Sequence, residues 1–311
     1  MKTMETQNKK KALAKTPNQL DAAIEMLENM KKKSDTKNIN PVSLPLPGTN
    51  LETTPVGIEG EIKPEKTKIE KKFEILPVNV DRFDLLLQDG GIERGLTILI
   101  SGGAGTGKTT FCVQSLYYNA LAGQRGVYIS FEEDPENIKH HMKKNYGWDL
   151  YELEKKGLLA FIKFDPVKIA RQVEEVLVQE SGMLRIKIQN LVLPIQPDRI
   201  VIDSISALAI EFESDKNFRK YLKELFHMLE KYNSLNFIIG ETEQNPQTYS
   251  RSGVEEFLGD GVIVFYNLKI AGVRKNALEI LKLRSGKHVK EMIPYALDEK
   301  GIEIYYKQKY D

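Results

Sequence analysis

The chain is 311 residues long, enough for one large or two ordinary domains, and its 45 Lys and Arg nearly balance 44 Asp and Glu, for a net charge of +1. That balance gives no bulk attraction to nucleic acid or an anionic membrane. No apolar run approaches the ~20 residues of a membrane span, and the Lys-rich N-terminus lacks the apolar core of a secretory signal.

Residues 1–72 differ in character from the rest of the chain. They carry 14 Lys against 10 Asp and Glu, with many Thr, Asn and Pro and almost no aromatic residues. Such a segment buries too little apolar surface to offset chain entropy and is expected to be a disordered tail. Leu20, Ile24, Leu27 and Met30 have helical spacing after Thr16-Pro17-Asn18, which predicts an isolated, transient helix with no specific role or, alternatively, one that docks on the body or on a protein partner. The folded domain is expected to span 73–311.

From Phe73 onward strands and helices alternate. Gly95–Ser101 is a short apolar run that predicts a buried strand. Next comes Gly102-Gly103-Ala104-Gly105-Thr106-Gly107-Lys108-Thr109-Thr110, which fits G-x-x-x-x-G-K-[ST]. Glycines let backbone N–H groups turn toward an anion without a Cβ in the way. Lys108 is placed to meet the β and γ phosphates of a nucleotide, and the Thr109 hydroxyl to ligate Mg²⁺. Phe111, Val113, Leu116, Tyr117 and Leu121 then recur at helical spacing, so a helix dipole points at the same phosphates. The lone cysteine, Cys112, lies on that helix; it cannot close an internal disulfide, fits a reducing cytoplasm and reads as a core residue.

Gly126–Phe131 predicts the next strand and Pro135–Tyr146 a helix with Pro in its first turn. Between them lies Glu132-Glu133-Asp134. Carboxylates at a strand's C-terminal end suit a base for an attacking water; equally, they suit an acidic first turn of a helix. A strand is expected at Leu158–Phe164 and a helical stretch from about Lys168 to Asn190, interrupted near Ser181-Gly182. Arg199–Asp203 is an apolar strand ending in a carboxylate, the position from which an acid holds Mg²⁺ together with Thr109. Phe218, Leu222, Leu225, Leu229 and Tyr232 mark an amphipathic helix, and Asn236–Gly240 a strand. Glu241-Thr242-Glu243-Gln244 comes directly after it, either a γ-phosphate sensor or an ordinary loop.

Beyond Gly259 the pattern becomes a β-meander: Val262–Leu268, a turn at Ala271-Gly272, Ala277–Arg284, and a last strand at Ile302–Tyr306. Lys282 and Arg284 alternate and so share a face. They read as a solvated cationic edge, or as cations that reach a phosphate in this chain or in a neighbouring one. The whole predicts an α/β fold: a mostly parallel twisted sheet flanked by helices, with an antiparallel extension at its C-terminal end.

The stretch from Leu76 to Tyr306 resembles a single KaiC-type domain of the RecA-like P-loop ATPases. The resemblance is carried by the phosphate loop, Asp203, Phe131-Glu-Glu-Asp-Pro135, Tyr146-Gly-Trp-Asp-Leu150, Gly253-Val-Glu-Glu-Phe257 and Leu278-Glu-Ile-Leu-Lys-Leu-Arg284 with His288. It implies ATP and Mg²⁺ as ligands, Glu132 and Glu133 as the catalytic pair, and nucleotide held between subunits of a homo-oligomer, a hexameric ring. It further implies that Lys282 and Arg284, with His288 nearby, reach the neighbour's nucleotide. Self-phosphorylating domains of the family carry adjacent Ser and Thr in the segment that here reads Gly253–Phe257, so this chain resembles the hydrolysing type. Thr248, Tyr249, Ser250 and Ser252 lie close by as the remaining hydroxyls for weak self-phosphorylation.

Two rivals share the nucleotide site. A RecA- or RadA-like DNA-associated ATPase would use Asn245–Ser252, with Tyr249 and Arg251, on DNA. The basic residues are not clustered and no helix-hairpin-helix module is recognisable, which argues against nucleic acid. A nucleotide-gated scaffold would hold its partner through residues 1–72.

Overall fold

Apolar runs of five to seven residues, too short for buried helices, form the centre of a nine-stranded sheet. The computed structural model describes residues 73–179, 193–244, 248–250 and 253–306. The expected tail at 1–72, with its helical island, lies outside the described residues, as does the predicted helix beyond Gln179.

A two-residue antiparallel pair, β1 (Ile75–Leu76) with β2 (Ile92–Glu93), closes the entry segment. Then come β3 (Thr97–Gly102), α1 (Lys108–Leu121), β4 (Gly126–Ser130), α2 (Pro135–Tyr146), α3 (Leu150–Lys155), β5 (Leu159–Lys163) and α4 (Pro166–Gln179). They are followed by β6 (Arg199–Asp203), α5 (Ile205–Ile210), α6 (Asp215–Tyr232), β7 (Leu235–Glu241), α7 (Glu255–Leu258), β8 (Gly261–Ile270), β9 (Val273–Leu283), β10 (Ile293–Asp298) and β11 (Gly301–Ile304). The order across the sheet is β11-β10-β9-β8-β3-β7-β6-β4-β5. Pairing is parallel from β5 to β8 and antiparallel from β8 to β11, as the sequence predicts.

Each face of the sheet has its own core. On one, Phe111 of α1 is fully buried and meets Phe83, Phe237 and Phe265 edge-on, with ring centroids 5.1, 6.0 and 5.2 Å away. Cys112 is buried beside it, the core residue expected. On the other face α6 buries Phe218, Tyr221, Leu222, Leu225 and Leu229, with Ser214 capping its N-terminus and Asn233 in a left-handed conformation ending it.

Three of the elements that escape the sequence periodicity do so for a plain reason. β10 contains Pro294, which demotes a short run to non-strand in any sequence reading. The six-residue α3 and α5 are too short to show a helical period, and α5 (ISALAI) is apolar almost throughout. The β8–β9 hairpin also runs further than expected, because Ala271 and Gly272 both have positive φ (47° and 82°). Such a two-residue turn lets the ladder continue to Ile270 and Val273.

Candidate nucleotide site

Four strands deliver the candidate residues to one edge. In the parallel ladders Gly102 lies opposite Glu241, Ser130 opposite Asp203 and Ile202 opposite Ile238, so β3, β4, β6 and β7 all end on the same side of the sheet, β4 and β6 two residues short of β3 and β7. The phosphate loop, Glu132-Glu133, Asp203 and Gln244 all lie at or just past those ends, in the crevice where open α/β sheets bind ligands.

The loop itself is held from three sides. Thr106 Oγ1 donates to the Gly103 carbonyl (2.9 Å), the Tyr295 hydroxyl to the Thr106 carbonyl (2.5 Å), and Gln244 Nε2 to the Ala104 carbonyl (2.8 Å). Lys108, only 7% exposed, donates from Nζ to the carbonyls of Gly102 (2.9 Å) and Gly103 (3.0 Å). Burial pulls the Lys108 ammonium below its ordinary range, while Glu241 and Asp203 act the other way. Gly102 has φ 155°, and a Cβ there would sit 2.5 Å from the Phe265 carbonyl oxygen. Gly102→Ala is therefore expected to destabilise the fold by about 1–3 kcal/mol, read as a Tm roughly 5 °C lower. An unchanged melting curve would mean that the loop has room to relax.

Asp203 is the hub. Its Oδ2 accepts from Thr109 Oγ1 (2.7 Å) and from the Tyr128 hydroxyl (2.5 Å). Burial raises the Asp203 pKa, and the two hydrogen bonds oppose that by favouring the ionised form. The Tyr128 phenol is pushed well up by burial and stays a donor. A hydroxyl beside a carboxylate is the donor set that fits Mg²⁺, which takes oxygen ligands and draws the rest from phosphates and water. Among the described residues no cluster of three or more His, Cys, Asp or Glu offers a cage of protein ligands instead.

The two adjacent glutamates part company. Glu132 accepts from Ser204 Oγ (2.6 Å), the residue after Asp203, and so faces the crevice. Glu133 turns toward α2, with Oε1 3.3 Å from His141 Nδ1. The acidic helix start is served instead by Asp134, which accepts from the Glu136 N–H. In the segment after β7, Gln244 packs over Gly103, and its Oε1 is buried with no hydrogen-bond partner among the described residues.

Lys282 and Arg284 lie elsewhere. Lys282 is opposite Val262 and Leu283 opposite Gly261, and Gly261 in turn pairs with Ile98 near the start of β3. Four residue steps along β3 separate that level from Gly102, roughly 13 Å of strand. The pair thus occupies the opposite edge of the sheet from the phosphate loop of its own chain. Lys282 Nζ donates to the carbonyls of Glu256 (3.2 Å) and Gly259 (2.6 Å), and Arg284 to Asp260 Oδ1 (3.2 Å) and the Phe257 carbonyl (3.3 Å). His288 packs along the entry segment, bridged to Leu87.

Of the nearby hydroxyls, Ser250 is buried and donates to Glu256 Oε2 (3.1 Å). The Tyr249 N–H donates to the same oxygen (3.0 Å). Arg251 and Ser252 lie outside the described residues. Tyr128, Ser204 and Tyr295 carry no motif that marks them in the sequence; the one available signal is a Tyr in an otherwise apolar buried strand, whose hydroxyl needs a partner.

The KaiC ATPase family model matches residues 76–309. The chain is 31% identical over 233 residues to a circadian clock protein KaiC3 of Synechocystis, covering 75% of this chain and 46% of that protein. It is also 31% identical over 247 residues to a circadian clock oscillator protein KaiC of Acaryochloris marina, covering 78% and 46%. The chain thus spans about half the length of the curated relatives it matches. A crystal structure of a KaiC-like protein from Pyrococcus horikoshii OT3 is similar with a TM-score of 0.63 at 30% identity, over 75% of this chain and 100% of that one.

Proposed function

Because the chain belongs to the KaiC family of RecA-like ATPases, we propose that it hydrolyses ATP with Mg²⁺ at sites shared between copies of itself, in a hexameric ring. The observation that carries this reading is a division of the sheet. Lys108, Thr109, Asp203 and Glu132 converge at one edge, while Lys282 and Arg284 stand at the other. Cations so placed meet a nucleotide only when a second copy brings them.

In the proposed site the N–H groups of Gly103–Thr109 and the Lys108 ammonium cradle the β and γ phosphates. Thr109 and Asp203 are the residues that would hold Mg²⁺, which when bound neutralises charge on those phosphates. Glu132 orients a water in line with the γ phosphorus and accepts its proton, with Ser204 fixing the carboxylate's direction. Gln244, tied to the loop, is the residue through which the state of the γ phosphate reaches the segment after β7. Lys282 and Arg284 of the adjacent copy stabilise charge on the transferring group, as arginine fingers do. The single, buried Cys112 suits work in a reducing cytoplasm.

Mixed oligomers test the shared site. Lys108→Ala and Arg284→Ala subunits, each inactive alone, should recover activity when mixed, because some interfaces then pair an intact loop with an intact Arg284. Full activity of Arg284→Ala by itself, or no recovery on mixing, would contradict the reading.

A further inference from the structure

Tyr128 is fully buried on β4, its ring stacked on Phe161 (centroids 5.5 Å apart, planes at 26°). Neighbouring positions on this strand, Val127 and Ile129, are apolar and buried. A phenol in that setting needs a partner for its hydroxyl. The partner is Asp203 Oδ2, at 2.5 Å, the oxygen that also accepts from Thr109 Oγ1 at 2.7 Å.

Two donors on one carboxylate oxygen have a geometric consequence. They fix the rotation of the Asp203 carboxylate about its own axis and occupy Oδ2, so that Oδ1 is the oxygen left for a metal. A ring clamped by Phe161 adds rigidity that a bound water in the same place would lack. We infer that Tyr128 is a positioning residue for Mg²⁺: its hydroxyl aims the Asp203 carboxylate so that one oxygen is presented to the metal side of the site. This inference rests on the proposed assignment of Thr109 and Asp203 to Mg²⁺.

Tyr128 would touch neither metal nor nucleotide and would act only through Asp203. Hydrogen-bond partners of ligating groups commonly contribute ten- to hundredfold in metal affinity or activity. The rest of the site has no need of the hydroxyl: Lys108 and the loop N–H groups bind phosphate without it. The expected defect is therefore selective. Metal dependence should change while metal-free nucleotide binding does not, whereas a merely structural role would move both.

The test is Tyr128→Phe in the full chain, which keeps the ring, its stacking on Phe161 and its burial. Binding of a non-hydrolysable ATP analogue is measured by calorimetry in EDTA and across a Mg²⁺ titration. Manganese binding, followed by its paramagnetic resonance signal with the same analogue present, supplies a second readout. The expected result is unchanged affinity in EDTA and a half-saturating Mg²⁺ concentration raised about tenfold. A Mg²⁺ dependence equal to that of the unaltered chain would overturn the inference, as would an equal loss of binding with and without metal. Should the unaltered chain bind the analogue equally well in EDTA and Mg²⁺, the metal assignment beneath the inference would itself be wrong, an outcome distinct from a silent Tyr128→Phe.

Discussion

Lys108→Ala is expected to weaken ATP binding by about two to three orders of magnitude and to abolish measurable turnover. The ammonium is the one charge carried by the phosphate loop, and its two contacts, at 2.9 and 3.0 Å, show that the side chain folds back over the loop instead of into solvent. Charge-assisted hydrogen bonds contribute about 1.5–3 kcal/mol each, and the lost Lys would have made at least one to each terminal phosphate. The alanine form should still fold. Nζ is buried at a desolvation penalty, as the lowering of its pKa indicates, so the methyl group removes an unfavourable charge along with two hydrogen bonds to carbonyls. Equilibrium binding of labelled ATP checks it; affinity within threefold of the unaltered chain would exclude Lys108 from phosphate binding.

Glu132→Gln should separate binding from chemistry. General-base catalysis contributes roughly 10²–10⁴-fold, so turnover should fall by that order while ATP affinity stays within a few fold. Gln keeps an oxygen to accept the Ser204 hydroxyl and differs only in its inability to take a proton. Glu133→Gln is the internal comparison. Its carboxylate turns to His141 on α2, and its replacement should lower turnover by far less. Equal losses from both substitutions would mean that the pair acts as a unit and that the partition seen here carries no function. A larger loss from Glu133→Gln would reverse the assignment.

Much of this site is legible in the sequence because its chemistry sits in contiguous motifs. The phosphate loop lies between an apolar run and a helical period, and Arg199–Asp203 is a strand with an acid at its end. The structure keeps both, down to the last residue of β6. The partition of Glu132 from Glu133 is not legible. Adjacent residues after a strand end diverge according to what the chain does next, and their partners come from elsewhere: Ser204 from the turn after β6, His141 from α2. Tyr128 is hidden for a related reason: a strand pattern scores it as one more buried aromatic, and only the sheet order that sets β4 beside β6 brings it to Asp203. Lys282 and Arg284 illustrate the reverse. Their alternation implies a shared face, but which edge of the sheet they occupy emerges from the ladder of β9 on β8 and β8 on β3.

The fate of the γ phosphate tests water-mediated hydrolysis most directly. The purified chain is incubated with Mg²⁺ and γ-labelled ATP for hours and sampled for free phosphate and for label on protein. Free phosphate alone should appear, released by the unaltered chain and lost with Glu132→Gln. Label accumulating on the protein would contradict hydrolysis by an activated water, and would mean that a side chain of the protein accepts the phosphoryl group.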